Sequence, residues 1–403
     1  MTVGTPARSL RLHIDTGSSD LWVNTPSSKL CSDAQNKCDL AGTYSANRSS
    51  TYEYIGSWFN ISYVDGSGAS GDYVSDTVTV GGAKLDRLQF GIGYSSSNAQ
   101  GILGIGYKRN EVQVGRAGLD PYDNLPAQMV TDGLINSNAY SIWLNDLDSN
   151  RGNILFGGVD TEKFEGTLQT MPIQTRQRGY YAEFLITMTG FKFGETAIGG
   201  DDMATAVLLD TGSSLTYLPD SMVQDIYNSI PSAQYDSELN AAYVPCDLAQ
   251  NSTKMTFAFS GPEITVGFDE LVLDLVADQY GNRLKFTNGQ DACLFGVAPA
   301  GTGTNVLGDT FLRSAYVVYD MDNNEISIAQ TKFNATTSRI LEIGTGDNAV
   351  PGAQKVENPI TATAGLGGQG ILDPDSAAPA GLLSRAPGMM AGLVALGVAA
   401  FIL

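Results

Sequence analysis

Two aspartates of this chain stand in nearly the same surroundings. Residues 12–23 read LHIDTGSSDLWV and residues 207–218 read VLLDTGSSLTYL, so Asp15 and Asp210 each open an Asp-Thr-Gly-Ser-Ser run, 195 residues apart. Two carboxylates brought face to face cannot both ionise cheaply, so such a pair holds one proton between them over an acidic range. One aspartate then draws a proton from a bound water while the other gives a proton to the carbonyl oxygen under attack. The expected intermediate is a tetrahedral gem-diol, with no covalent enzyme adduct, no metal and no cofactor. The hydroxyls of Thr16, Ser18, Thr211 and Ser213 are placed to hydrogen-bond the carboxylates or their loops. Gly17 and Gly212 let the backbone turn where a Cβ would clash.

Positioning such a pair takes two matching frameworks. Apolar residues lead directly into each aspartate, which predicts a buried strand delivering the carboxylate into a largely dry site. A second element repeats in the same order: Gly101-Ile-Leu-Gly104 follows Asp15 by 89 residues, and Asn305-Val-Leu-Gly308 follows Asp210 by 98. Repeated elements at similar spacing imply two related lobes, residues 1–185 and 186–330, facing each other across a pseudo-twofold. Residues 73–80 and 181–188 alternate as half-buried strands do. Helices are few: Asp220, after Pro219, caps one whose Val223, Ile226, Tyr227 and Ile230 share a face, and a second covers residues 125–132. The fold class is all-β with few short helices.

Composition narrows the function. The 403 residues carry 23 Lys+Arg against 43 Asp+Glu, a net charge of −20, and only 16% charged residues. A polyanion is a poor nucleic-acid binder. A single histidine excludes two-imidazole zinc sites. That histidine, His13, would share a strand face with Asp15, either beside the cleft or partly buried. The cysteines are Cys31, Cys38, Cys246 and Cys293, with no C-x-x-C, so two local disulfides are expected, though three connectivities stand open. Sequons at Asn47, Asn60, Asn251 and Asn334 point the same way, to an exported glycoprotein. The start, Met1-Thr-Val-Gly, is not a secretory leader and reads as a piece of a longer product. At the other end, residues 389–403 form an uncharged apolar tail behind a short spacer and the small residues Ser376-Ala377-Ala378. That arrangement is a lipid-anchor signal of the GPI type, with Ser376 as the attachment candidate. Residues 334–387 contain no aromatic residue, so 331–388 are expected as a disordered stalk.

The two Asp-Thr-Gly-Ser-Ser motifs strongly resemble the active-site motifs of pepsin-family aspartic peptidases, over residues 2–330. The stretch Ser62-Tyr63-Val64-Asp65-Gly66-Ser67 resembles the flap, and the 101–104 and 305–309 stretches resemble the strands behind each aspartate loop. The resemblance implies a bilobal peptidase in which Asp15 and Asp210 are the dyad, Tyr63 closes over substrate and Trp22 is its hydrogen-bonding partner. It also implies Cys31–Cys38 and Cys246–Cys293 pairing, and an N-terminal strand, signal peptide and propeptide upstream of the first motif. Flap, stalk and tail look most like fungal yapsins and candidapepsins. By that likeness, Asp65 pairs with basic substrate side chains, against the alternative of a solvated turn residue. Val64, where many relatives have Gly, stiffens the flap. The implied protein is a monomer acting on polypeptides in acid, bound to no nucleic acid, and held at the cell surface or wall only by its C-terminal lipid anchor. The rivals are an inactive peptide-binding or wall protein of the same fold, and a two-carboxylate glycosidase, which leaves the duplication unexplained.

Overall fold

The computed structural model describes residues 1–367 except 34, 36, 201, 239 and 276–282. Among the described residues strands dominate, and the longest helix is the nine-residue Asp220–Asn228. The first half builds one sheet in the order Arg8–Ser9, Thr2–Val3, Gly68–Val80, Ala83–Ser96, Leu21–Asn24, Gly101–Gly104, Leu12–Asp15. Glu53–Ser62 pairs off the path with Gly68–Val80, making a long hairpin that projects from this sheet. The second half builds its counterpart from Leu185–Met188, Thr205–Leu209, Val306–Leu307, Thr216–Leu218 and Val297–Pro299.

The repeated sequence elements meet in each half in the same way. Leu12–Asp15 runs parallel to Gly101–Gly104, with Asp15 opposite Gly104. Thr205–Leu209 runs parallel to Val306–Leu307, with Leu209 opposite Leu307. Both aspartate-bearing strands thus end at equivalent points of equivalent sheets. A third sheet spans the halves, in the order Asn153–Phe156, Ala139–Trp143, Ala315–Asp320, Glu325–Gln330, Gln169–Pro172, Gln354–Lys355. Its Tyr140 and Tyr319 rings stack 5.0 Å apart, and Phe184 meets Tyr319 edge-on at 4.7 Å. This aromatic layer belongs to one continuous apolar core reaching from Val3 to Ala362.

Three expectations need correction. Within 181–188 only Leu185–Met188 is a strand, and all four of its residues are buried, so it is not a half-exposed strand. Asp220 does not cap its helix: Pro219 holds the cap position, and the Asp220 carboxylate instead accepts Gly301 N–H at 2.8 Å. The expected disordered stalk is ordered and packed as far as residue 367. Ile340–Glu342 pairs with Gly158–Asp160, Gln354–Lys355 adds to the edge of Gln169–Pro172, and Ala364 bridges Thr205. Main-chain hydrogen bonds to open strand edges supply what aromatic burial does not. Aliphatic plugs add to them, since Ile343, Ala349 and Val350 are buried against Trp143, Val159 and Tyr316. The anchor candidate Ser376 and the apolar tail 389–403 lie outside the described residues. Among the described residues no helix is long and apolar enough to cross a membrane.

Candidate active site

The loops that follow the two parallel strand pairs bring Asp15 and Asp210 together. Each carboxylate is cradled by its own loop in the same pattern. Gly17 N–H donates to Asp15 Oδ1 at 2.8 Å and Ser18 Oγ–H to Asp15 Oδ2. Gly212 N–H donates to Asp210 Oδ1 at 2.8 Å and Ser213 Oγ–H to Asp210 Oδ2 at 2.7 Å. The Thr side chains point away from the carboxylates and lock the loops to each other. Thr16 Oγ1 donates to Leu209 O at 2.9 Å, Thr211 Oγ1 donates to Ile14 O at 2.8 Å, and each Thr N–H donates to the other's hydroxyl.

The glycines serve close approach rather than an unusual turn, since neither has a positive φ. A Cβ on Gly17 would lie 2.5 Å from Asp210 Oδ1, and one on Gly212 would lie 2.5 Å from Asp15 Oδ1. Each loop therefore passes directly against the opposite aspartate. Asp15 is buried, with the Asp210 carboxyl beside it. Burial first, then the Asp210 charge, pushes the Asp15 carboxyl up to about 8, while the Ser18 and Gly17 bonds pull the other way. The pair thus retains a proton throughout the acid range.

Above the pair stands the tip of the hairpin. Residues 63–67 turn through Gly66, at φ +80°, with Tyr63 N–H bonded to Ser67 O at 2.8 Å. Trp22 Nε1–H donates to Tyr63 Oη at 2.8 Å, and Ser18, the donor to Asp15, lies near the Tyr63 hydroxyl. Burial, then the Asp15 charge, raises the Tyr63 hydroxyl above its ordinary range, so it remains a donor. Asp65 is exposed at the tip and accepts from Ser67 N–H at 2.8 Å, and its neighbour Val64 is 95% exposed. Trp22, Tyr63 and Ile102 pack with Phe59, Ile61, Tyr73 and Tyr122 in an apolar cluster beneath the hairpin.

Three contributors escaped the sequence reading. Tyr217 occupies the position in the second motif that Trp22 occupies in the first. Its hydroxyl is raised by burial and then by the charges of Asp65 and Asp210, so it feels both the hairpin tip and the dyad. Overlaying the two repeats would have found it. Asp309 stands where the first repeat has Ile105. It is buried, and its carboxyl is pushed up to about 7 by desolvation, with Arg313 opposing and the Asp210 charge adding. Asp20, which aligns with Leu215, accepts from Tyr73 Oη at 2.5 Å, Val112 N–H at 2.8 Å and Tyr122 Oη at 2.9 Å. It ties hairpin, helix Val112–Ala117 and the 122 loop into one wall.

Away from the cleft, Cys31 bonds Cys38 and Cys246 bonds Cys293. The sequon asparagines Asn47, Asn60, Asn251 and Asn334 are all exposed. Asn334 differs from the others in that its Nδ2 donates to the Asp146 carboxylate and its N–H to Asn145 Oδ1.

A pseudo-symmetric carboxylate pair between two β lobes, roofed by a tyrosine-tipped hairpin, defines a class of acid hydrolase. The family model for eukaryotic aspartyl proteases matches residues 1–331, and the chain belongs to that family. It is 58% identical over 366 residues to the probable aspartic-type endopeptidase opsB of Aspergillus oryzae, covering 90% of this chain and 74% of that one. A protein of the same description from Arthroderma benhamiae is 50% identical over 412 residues, covering 99% and 83%. Secreted aspartic protease 3 of Candida albicans is 37% identical over 350 residues, covering 84% and 80%.

Proposed function

We propose that this protein is an acid endopeptidase in which Asp15 and Asp210 jointly activate water against a peptide bond lying across the cleft. The observation that carries this is the paired cradle, two adjacent loop carboxylates with matching Gly N–H and Ser Oγ–H donors. A water between the carboxylates loses a proton to the ionised member and attacks the carbonyl carbon. The protonated member gives its proton to the carbonyl oxygen, and the gem-diol collapses as the amine leaves protonated. Tyr63, held by Trp22, closes the site from above and excludes bulk water. The exposed Asp65 favours lysine or arginine in the substrate by charge pairing at the hairpin tip. The names of the fungal relatives, the two disulfides and the exposed sequons support work outside the cell, with a lipid anchor at Ser376 as the tether.

The test is acid proteolysis at about pH 4, where a shared-proton pair is loaded, by the wild type, Asp15→Asn and Asp210→Asn. Both variants are expected to lose activity by at least about a thousandfold. Turnover surviving either substitution would remove that residue from the reaction.

A further inference from the structure

His13 precedes Asp15 on the same strand, on the accessible side of the sheet. In Leu12–Asp15, Leu12 and Ile14 are half-buried and pack on the main core, whereas His13 is exposed and Asp15 is buried at the dyad. Strand alternation therefore sets the imidazole on the same face as the Asp15 carboxylate. Register across the sheet extends that face. His13 is opposite Ile102, Ile102 is opposite Trp22, and Trp22 is opposite Gly91, over which the Phe59 ring lies. Paired residues on neighbouring strands share a face and touch.

The row His13–Ile102–Trp22 is thus one surface. Its inner end is the Trp22 that holds Tyr63, and its outer end is His13 on the edge strand. Surrounding protein desolvates the imidazole and lowers its pKa, although the ring remains open to solvent, as expected of a side chain lining a cleft. Among the described residues no side-chain hydrogen bond within the chain occupies His13, so its ring nitrogens are available to a bound peptide.

We propose that His13 is a specificity-determining residue: it stands at the open, polar end of the row that runs through Ile102 to Trp22, and donates a hydrogen bond to a substrate side chain flanking the scissile bond. A neutral imidazole carries one N–H donor and an imidazolium two, so a donor is present in either state. The substrate group selected is an acceptor on a side chain long enough to cross Ile102, such as glutamine or glutamate. This role is distinct from that of Asp65, which lies toward Tyr217 on the opposite lobe. The inference rests on the dyad assignment made above.

The test is cleavage of a defined peptide mixture by the full chain, with products sequenced by mass spectrometry, for wild type, His13→Leu and His13→Gln. Replacing the donor with an aliphatic group should lower kcat/KM for glutamine- and glutamate-bearing peptides about three- to tenfold relative to leucine-bearing ones. His13→Gln, which keeps a donor, should restore most of that ratio. An unchanged ratio in His13→Leu overturns the proposal, as does an equal loss on every peptide in both variants, the signature of a structural role. Cleavage that survives Asp15→Asn overturns it by a separate route, because the catalytic centre would then lie elsewhere.

Discussion

Replacing Asp309 with asparagine gives the sharpest test of the electrostatics beneath the dyad. Asp309 is buried and its carboxyl is raised from 3.8 to about 7, chiefly by desolvation. A folded-state pKa above the unfolded one means the group adds stability fully below about pH 4. That stability is lost as pH rises through about 7. Each pKa unit is worth about 1.4 kcal/mol, so the cost reaches about 4 kcal/mol by neutral pH. An asparagine side chain at this position never ionises and escapes that cost. Wild type and Asp309→Asn should therefore be nearly equal in stability at pH 3 to about 4. Their difference should widen in favour of the variant up to pH 7 or about 8. The measurement is urea unfolding followed by tryptophan fluorescence across that range. Both proteins would carry Asp15→Asn so that self-digestion does not enter. A stability difference independent of pH, or one that favours aspartate as pH rises, would refute the account. It would mean that Arg313, which opposes the shift, dominates the site.

Other outcomes follow from the same geometry. Thr211→Val removes the hydroxyl that bonds Ile14 O and receives Thr16 N–H. It should destabilise the protein by about 2–4 kcal/mol in denaturant and lower kcat more than it raises KM. Thr16→Val acts through the same lock, so the double variant should cost less than the two single changes together. Asp65→Ala should reduce kcat/KM after lysine or arginine relative to leucine or phenylalanine by about threefold, and an unchanged ratio would leave Asp65 a turn residue. Replacing both cysteines of the Cys246–Cys293 bridge, which spans 47 residues, should cost about 4 kcal/mol. The same change at Cys31–Cys38, which spans 7, should cost about 2 kcal/mol. The order of the two losses in thermal unfolding is the check.

Much of the candidate site was legible in the chain because it is written twice. The duplicated Asp-Thr-Gly-Ser-Ser and the glycine-ended strands behind it named Asp15, Asp210 and their Ser and Thr neighbours, and implied the two lobes. What differs between the repeats was harder to see. Asp20, Asp309 and Tyr217 stand where the other copy has Leu215, Ile105 and Trp22. The significance of each comes from groups distant in the chain or on the other lobe, such as Tyr73 for Asp20 and Asp65 for Tyr217. The segment after 331 misled for a related reason. Its stability comes from backbone bonds to strand edges, which side-chain composition does not record.

The sequence by itself determined the residue types of the candidate site, because a duplicated Asp-Thr-Gly-Ser-Ser is a pattern local to the chain. It also determined that the protein is β-rich, since alternation and glycine turns are local signals. Tertiary structure decided what local signals cannot carry. It showed that Gly17 and Gly212 are there to let each loop touch the opposite aspartate, not to adopt a left-handed turn. It raised the carboxyls of Asp15 and Asp309 by burying them, and it seated His13 at the open end of the row that holds the flap. Burial and cross-strand register arise only when residues distant in the chain are brought together; burial sets the acidity of the site, and register sets which side chains stand beside it.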